Sequence, residues 1–315
     1  MNVPLLSILI VNWNTRELLR DCLNSIYEDP QSIAWEVVVV DNGSGDHSAA
    51  LVESSFPQAR LLALGQNLGF VGGYNLALEK SRGQYLLLLN SDTRVEPGAL
   101  GGLVAFLEDH PQAGAVGPRL VHGDGTVQLS CGLSPSLGAE IVNKLLLHKV
   151  FPFFKFGRWN HAQIREVGWV TGACLLVRRA AIQEVGPLDP AIFMFYEDVE
   201  WCLRMRRAGW KVFYYPFSRV VHLGGQSTRK NFDQMLVISQ QSQFYLFQKH
   251  FGRGALHLLR ALTLVEMVFR SLAWSCFSWG KRRVQARQRL KAYREIFSRT
   301  LCERAYWAPA ATEKN

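Results

Sequence analysis

Two kinds of pattern divide the chain. Up to about residue 225, short apolar runs alternate with stretches whose apolar residues recur every three or four positions; beyond it only the second kind persists. Leu5–Val11 is an apolar run that stops at Asn12-Trp13-Asn14 and predicts a first strand. Leu18, Leu19, Cys22, Leu23 and Ile26 follow at helical spacing, predicting a helix over Thr15–Tyr27 with Asn14 or Thr15 as its N-cap. Glu36–Val40 predicts a second strand running into Asp41-Asn42-Gly43-Ser44, then a helix to about Phe56 and a third strand at Arg60–Leu64. A helix at Tyr74–Lys80 precedes Tyr85–Leu89, whose lack of alternation is that of a strand covered on both faces. This strand ends in Asn90-Ser91-Asp92, and a helix (Gly98–Asp109) and a strand (Gly114–Gly117) follow. The succession predicts an α/β fold, a doubly wound, Rossmann-like mixed sheet with helices on both faces.

The second half is less regular. Val121–Leu129 predicts a hairpin turning at Asp124-Gly125. Ser130–Glu166, with Phe151, Phe153, Phe154, Phe156 and Trp159, has the character of a mobile loop or surface lid. Val167–Arg179 predicts a strand that passes through Gly172-Ala173, and Phe193–Gly209 a segment that begins extended and becomes a helix. Trp210–Tyr215 and Arg219–Leu223 predict two further strands, and Phe232–Phe251 and Ala255–Trp279 two helices. In the last, His257, Arg260, Thr263, Glu266, Arg270, Ser271, Ser275 and Ser278 share one face, and Leu258, Leu262, Val265, Phe269, Leu272 and Trp279 the other. The basic run Lys281–Lys291, KRRVQARQRLK, comes directly after. That combination suits an anionic membrane surface, and equally a helix packed on the protein's own core with a solvated basic tail. Residues from about Pro309 are expected to fray.

Composition narrows the classes. At 315 residues, 48% hydrophobic and 19% charged, the chain has ample core and is not disordered. The net charge of +9 is concentrated in Lys281–Lys291, which lacks interleaved aromatics, so no nucleic-acid partner is expected. The six cysteines show no metal or redox spacing and read as reduced thiols. Leu5–Val11 lacks a basic leader, and no charge-free run reaches the roughly 20 residues a bilayer span needs. The expected location is cytoplasmic, peripheral on the inner face of the cell membrane.

Candidate chemistry gathers at strand ends. An Asp there, with a polar residue two positions earlier, can hold Mg²⁺ or Mn²⁺ against a diphosphate, because hard oxygen ligands suit those cations. A polar turn after a core strand would look the same. Asn67–Asn75, NLGFVGGYN, places three glycines before a helix, where backbone N–H groups can approach phosphate, but it lacks the order of a dinucleotide fingerprint.

Four clusters occur in chain order: Asp41-Asn42-Gly43-Ser44, Asn90-Ser91-Asp92, Glu197-Asp198 and His222. With VNWN (Val11–Asn14), NLGFVGGYN, TGACLLVRR (Thr171–Arg179), FYEDVEWCLR (Phe195–Arg204) and HLGGQS (His222–Ser227), the set resembles the family 2 glycosyltransferases of the GT-A fold. The similarity is greatest to the rhamnosyltransferase-like branch that builds bacterial surface polysaccharide, and runs over Leu5–Gln226. The resemblance implies a catalytic domain over 1–230, with a nucleotide-sugar half to about 118 and an acceptor half after it, and a C-terminal helical region over 231–315. It implies that Asp41 meets the pyrimidine, with Val11, Asn12, Asn67, Gly69, Asn75, Asn90 and Ser91 also on the donor. Asp92 would bind the metal; Asn90 stands where many relatives carry a first Asp, which leaves the number of carboxylates on the metal open. His222 would be a second ligand or a diphosphate hydrogen-bond donor, and Arg229 and Lys230 beyond it could close over the diphosphate or be plain surface charge. Asp198 would be the general base, with Glu197 and Glu200 as competitors, and Gly172, Ala173, Trp169, Glu197 and Trp201 would face sugar or acceptor. The implied activity is inverting, metal-dependent transfer from a nucleoside-diphosphate sugar, dTDP-rhamnose above others, to a glycan or polyprenyl-diphosphate-linked acceptor. A sugar nucleotidyltransferase and a catalytically silent nucleotide- or carbohydrate-binding protein are the alternatives. The first would carry a basic Gly-rich loop after its first strand, and Asn12–Arg16 is not one.

Overall fold

The first strand, β1 (Leu6–Asn12), pairs in parallel with β2 (Trp35–Asp41) on one side and β4 (Tyr85–Asn90) on the other. All three are almost continuously apolar and buried, the condition that places them inside a covered sheet. Each fully buried Leu or Val of such a strand contributes roughly 1.5–3 kcal/mol relative to exposure. The computed structural model describes residues 3–29, 33–145, 159, 161–224, 232–276 and 283–302.

Along the chain, β1 is followed by α1 (Arg16–Tyr27), β2, α2 (Ser48–Ser55), β3 (Arg60–Ala63), α3 (Gly69–Lys80), β4, β5 (Thr93–Val95) and α4 (Ala99–Asp109). Then come β6 (Ala113–Val121), β7 (Cys131–Gly132), α5 (Leu137–Lys144), β8 (Arg165–Glu166), β9 (Trp169–Val170) and β10 (Cys174–Arg178). The remaining elements are α6 (Arg179–Val185), α7 (Glu197–Arg207), β11 (Lys211–His222), α8 (Phe232–Ser275) and α9 (Arg283–Leu301). Among the described residues one mixed sheet runs in the order β3-β2-β1-β4-β10-β6-β11-β5, with β8 added on β11, and β7 pairs with β9 in a small second sheet. The half over β3, β2, β1 and β4 is parallel, and β10 enters antiparallel to both β4 and β6.

The chain forms two compact units. The first comprises Met1–Ser134, Gly157–Ala191 and Glu197–Ser227, and contains the sheet; the second comprises Pro135–Phe156, Ile192–Tyr196 and Thr228–Asn315. The second therefore takes in two stretches from within the span 1–230. Around the sheet's apolar layer, Ile8, Ile10, Leu23, Leu87, Leu103, Val116 and Leu176 belong to one continuous core.

Several elements differ from the pattern-based expectation. Helix α3 begins at Gly69 (φ 76°), so the glycines of NLGFVGGYN lie inside it, where Gly73 lets the helix close onto β1. A Cβ on Gly73 would stand 2.7 Å from Cγ1 of Val11. The predicted strand Val167–Arg179 is broken at Thr171–Ala173 into β9 and β10. Phe193–Tyr196 is not extended: Phe195 (φ 66°) and Tyr196 (φ 63°) are both left-handed, a sterically costly pair for side chains with a Cβ. The two strands predicted at 210–215 and 219–223 are one, β11, whose pairing with β6 shifts register between Tyr215 and Arg219, around Pro216. The predicted loop at 130–166 contains β7 and α5, the latter capped by Ser136 accepting from Ala139 N–H at 3.2 Å. The aromatic cluster Phe151–Phe156 lies outside the described residues, as do Gln226, Ser227, Arg229, Lys230, Lys281, Arg282 and the stretch from Pro309. The two predicted C-terminal helices do meet where expected, at Gly252 (φ 85°, ψ 178°), whose backbone is not helical; the pair together is α8. The six cysteines are free thiols, as expected.

Candidate active site

The site is built where β1, β2 and β4 end together. Register puts Asn12 beside Asp41 and Val11 beside Asn90 at the carboxyl ends of three adjacent parallel strands, the place where open α/β sheets bind ligands. Asp41 is buried; its Oδ1 accepts from Ser44 N–H at 2.9 Å and its Oδ2 from Asn12 Nδ2 at 3.2 Å. The turn after β2 is thus an Asx turn, and the same carboxylate ties it to β1. Asn42, next in sequence, fixes the approach to α3: its Oδ1 accepts from Leu68 N–H at 2.9 Å, and its Nδ2 donates to Asn67 Oδ1 at 2.8 Å and Gly69 O at 3.0 Å. Asn67 and Gly69 therefore sit beside the end of β2.

Thr15 occupies the N-cap position of α1 but caps nothing. Its hydroxyl donates to Asn12 Oδ1 at 2.6 Å and lies 2.8 Å from Ser91 Oγ, joining the β1 turn to the β4 turn. The free N–H of Arg16 is met from a distance by Asp46 Oδ2 at 2.9 Å.

The β4 turn carries the acid–imidazole pair. Asp92 and His222 are both buried, with Oδ1 of Asp92 at 3.2 Å from Nε2 of His222, and Asn90 Nδ2 at 3.4 Å from the same nitrogen. Pairing of β11 with β5 sets His222 opposite Thr93, and Leu223 N–H donates to the Asp92 carbonyl at 3.0 Å. His222 Nδ1 lies 2.9 Å from Gln128 Oε1, the contact that places the proton on Nδ1. With the proton on Nδ1, the Nε2 lone pair faces the Asp92 carboxylate at 3.2 Å and the Asn90 amide at 3.4 Å, a grouping that a cation could join. The donor set of one carboxylate, one imidazole and one amide suits a hard divalent ion that keeps diphosphate and water ligands. Among the described residues no three His, Cys, Asp or Glu converge, so any such ion has few protein ligands.

Asp198 joins the cluster through the break between β9 and β10. Ala173 O accepts from Asn90 N–H at 3.0 Å, and Gly172 N–H donates to Asp198 Oδ2 at 2.8 Å. Val199 N–H, in the first turn of α7, donates to Asp198 Oδ1 at 2.7 Å. Burial nevertheless pushes the Asp198 carboxyl above its ordinary range, against those two donors. Its neighbour Glu197 is buried, with Oε2 lacking a hydrogen-bond partner among the described residues. Desolvation, then the adjacent Asp198 charge, raise Glu197 well above the ordinary carboxyl range. Acids in the first turn of α7 and Arg204, Arg206 and Arg207 in its last turn match the helix dipole.

Three positions have other employment. Trp201 is fully buried and donates its ring N–H to Gly186 O at 2.9 Å, so no ring face is open to an acceptor. Glu200 is fully buried and ion-paired with Arg204 at 2.8 Å, which removes it as a competing base. Asn75 uses both ends of its amide on the backbone of Leu188, at 2.8 and 3.0 Å. Trp169 remains half-buried on β9, and Gly172 faces Phe70 and the Cβ of Asp198, at 3.5 and 3.8 Å from where its own Cβ would be. Cys22, beside Asn90, is no nucleophile: burial lifts its thiol to about 12. Thr15, Asn42 and Gln128 escaped the sequence reading as partners, because their contacts lie 25 to 94 residues away in the chain.

A mixed sheet with this acid–imidazole pair at its switch point, and a helix-borne carboxylate across a Gly-Ala gap, is the arrangement expected of a glycosyltransferase of the GT-A fold. The profile of glycosyl transferase family 2 matches residues 7–186. The chain belongs to that family. It is 31% identical over 236 residues to the N-acetylglucosaminyl-diphospho-decaprenol L-rhamnosyltransferase of Mycobacterium tuberculosis, covering 69% of this chain and 76% of the relative. It is 25% identical over 206 residues to the low-salt glycan biosynthesis hexosyltransferase Agl10 of Haloferax volcanii, covering 64% and 62% of the two chains. Among solved structures, the mannosyltransferase PcManGT from Pyrobaculum calidifontis, in complex with GDP-Man and Mn²⁺, superimposes with a TM-score of 0.59 at 16% identity, over 96% of this chain and 88% of that one. GalNAc-T7 with UDP, GalNAc and Mn²⁺ gives a TM-score of 0.54 at 15% identity, over 97% and 57%. These two establish the fold.

Proposed function

We propose that the protein is an inverting rhamnosyltransferase that moves L-rhamnose from dTDP-rhamnose to a lipid-linked glycan acceptor in surface polysaccharide synthesis. The substrate class rests on the 31% identity to an enzyme named for transfer to a diphospho-decaprenol sugar. The carrying observation for the chemistry is Asp198: a half-buried carboxylate fixed by Gly172 and Val199 N–H groups, whose desolvation raises its proton affinity. In this reading Asp198 takes the proton from the acceptor hydroxyl as that oxygen attacks the anomeric carbon opposite the departing diphosphate. Asp41 and Asn12 hold the nucleobase side of the donor, and Asn90 and Ser91 the ribose-diphosphate side. Asp92 and His222 would hold Mg²⁺ or Mn²⁺, which when bound supplies charge neutralisation to the leaving group. Gln128 orients His222 for that role.

The test is Asp198→Asn. Calorimetry with the donor should give binding within about threefold of wild type, while nucleoside-diphosphate release falls about a thousandfold, the scale of losing a general base. Turnover retained in this variant would reassign the base; loss of donor binding along with turnover would place Asp198 on the donor instead.

A further inference from the structure

The second unit carries a surface that the transfer chemistry leaves unused. Beyond Gly252, α8 turns an unbroken apolar arc outward. Leu258 is 42% exposed, Val265 41%, Val268 47%, Phe269 55% and Leu272 63%, and Ala261 is exposed among them. At 3.6 residues per turn these six fall within an arc of about 100°, and they run about 21 Å along the helix. None is charged. The opposite face of the same helix is the buried one and holds Leu259, Thr263, Glu266 and Met267. Glu266 is paired there with Lys144 at 3.0 Å and with Arg270 at 2.8 Å. The helix therefore buries one apolar side, Leu256, Leu259, Leu262 and Met267 with Thr263 and Glu266 among them, and leaves a second apolar side outside. Of the apolar face named from sequence, Leu262 alone among its described members is buried.

Charge identifies what covers such a face. The second unit contains 19 Lys and Arg against 6 Asp and Glu, and the first 16 against 20, so the basic excess of the chain resides entirely in the second. Helix α9 packs on α8 through Tyr293 and Ile296 against Met267. On its exposed side Arg283, Arg287, Lys291 and Arg294 form one row at spacings of four, four and three, with Lys291 reaching Asp233 at 2.9 Å. A second copy docking on the arc would bring two strongly basic units together against their mutual repulsion. A bilayer with anionic headgroups takes up the apolar side chains and the positive charge at once. No described helix is long and apolar enough to cross a membrane, so the contact is one of lying on the surface.

We propose that the arc Leu258–Leu272 of α8 seats on an anionic lipid surface, its apolar side chains at the headgroup–acyl boundary and the arginine row of α9 supplying the electrostatic attraction. The assignment of donor and acceptor plays no part in this inference.

The experiment is sedimentation of the full-length protein with vesicles of phosphatidylcholine alone and of an equimolar mixture with phosphatidylglycerol. Wild type should bind the mixed vesicles about tenfold or more tightly than the neutral ones, with binding weakened by salt. Phe269→Asp with Leu272→Asp should lower binding to mixed vesicles about tenfold or more at an unchanged melting temperature, since both side chains are exposed. Arg283→Glu with Arg287→Glu and Arg294→Glu should erase the preference for anionic lipid. If the aspartate pair unfolds the protein, Val265→Ser with Val268→Ser serves in its place and should weaken binding in the same direction. The proposal is overturned if wild type ignores both vesicles, or if the substituted arc binds them as wild type does. It is also overturned if sedimentation equilibrium finds a wild-type dimer that the aspartate pair makes monomeric, with no vesicle binding, since the arc would then belong to a second copy.

Discussion

Nε2 of His222 lies 3.2 Å from Oδ1 of Asp92, although the two residues are 130 positions apart and β4, which Asp92 follows, does not pair with β11, which ends at His222. The contact exists because the short β5, directly after Asp92, folds back to pair with the end of β11. Gln128, from the turn after β6, then fixes the ring from its other nitrogen.

Removing these groups should grade the loss. Asp92→Ala is expected to lower metal-dependent nucleoside-diphosphate release by about a thousandfold or more, since it removes the only carboxylate of the pair. Gln128→Ala leaves both groups in place but frees the ring, and an apparent metal affinity weakened about 10–100-fold is expected, the usual effect of losing an orienting partner. Titration of turnover against Mg²⁺ and Mn²⁺ distinguishes the two, because only the second should be rescued by excess metal.

The pH profile should carry the signature of Asp198. Burial raises this carboxyl above its ordinary 3.8, so the acid limb of kcat/KM is expected at a pH above that value, with activity falling as pH drops through it. An acid limb at or below the ordinary carboxylate range would separate the limb from Asp198.

Glu197 makes a stability prediction of fixed sign. Its folded-state proton affinity is raised well above the ordinary 4.5, so the folded protein holds a proton that the unfolded chain has released. The contribution is fully present below 4.5 and is lost as pH rises toward the folded value. Glu197→Gln keeps the shape, removes the titration, and should gain about 1–3 kcal/mol over wild type at neutral pH, the cost range of an unsatisfied buried polar group. Denaturant melts at pH 4 and pH 7 read the difference, which should shrink at the lower pH.

Gly73→Ala tests the seating of α3 on β1. The added carbon would stand 2.7 Å from Cγ1 of Val11, a β-branched side chain with one stiff rotamer, so the helix must move. A destabilisation of about 1–3 kcal/mol is expected, together with weaker donor binding in calorimetry, because Val11 and Asn12 flank the site.

In the second unit, Lys144→Ala leaves Glu266 buried with Arg270 as its remaining partner. About 3 kcal/mol of destabilisation is expected by thermal melting, with donor affinity unchanged.

Much of this was legible in the residues themselves. The strands β1, β2 and β4 were readable because a doubly covered strand is apolar at nearly every position, and α1 because its buried stripe repeats at helical spacing. The polar residues ending those strands pointed to the ligand edge for the same reason: a core strand turns polar only where it leaves the core. Reading failed where the local pattern was weak or broken. The gap at Thr171–Ala173, the left-handed pair Phe195-Tyr196 and the continuity of β11 through Pro216 are set by neighbours far along the chain.

The strand-helix alternation, the polar strand ends and the two-faced character of residues 255–276 are already present in the residues, because periodicity and side-chain chemistry are local properties. That Gln128 holds His222, that Trp201 and Glu200 are buried away from any substrate, and that α8 presents an apolar face outward emerge only on folding. Those depend on which surfaces meet, and pairing across a hundred residues is fixed by packing and register.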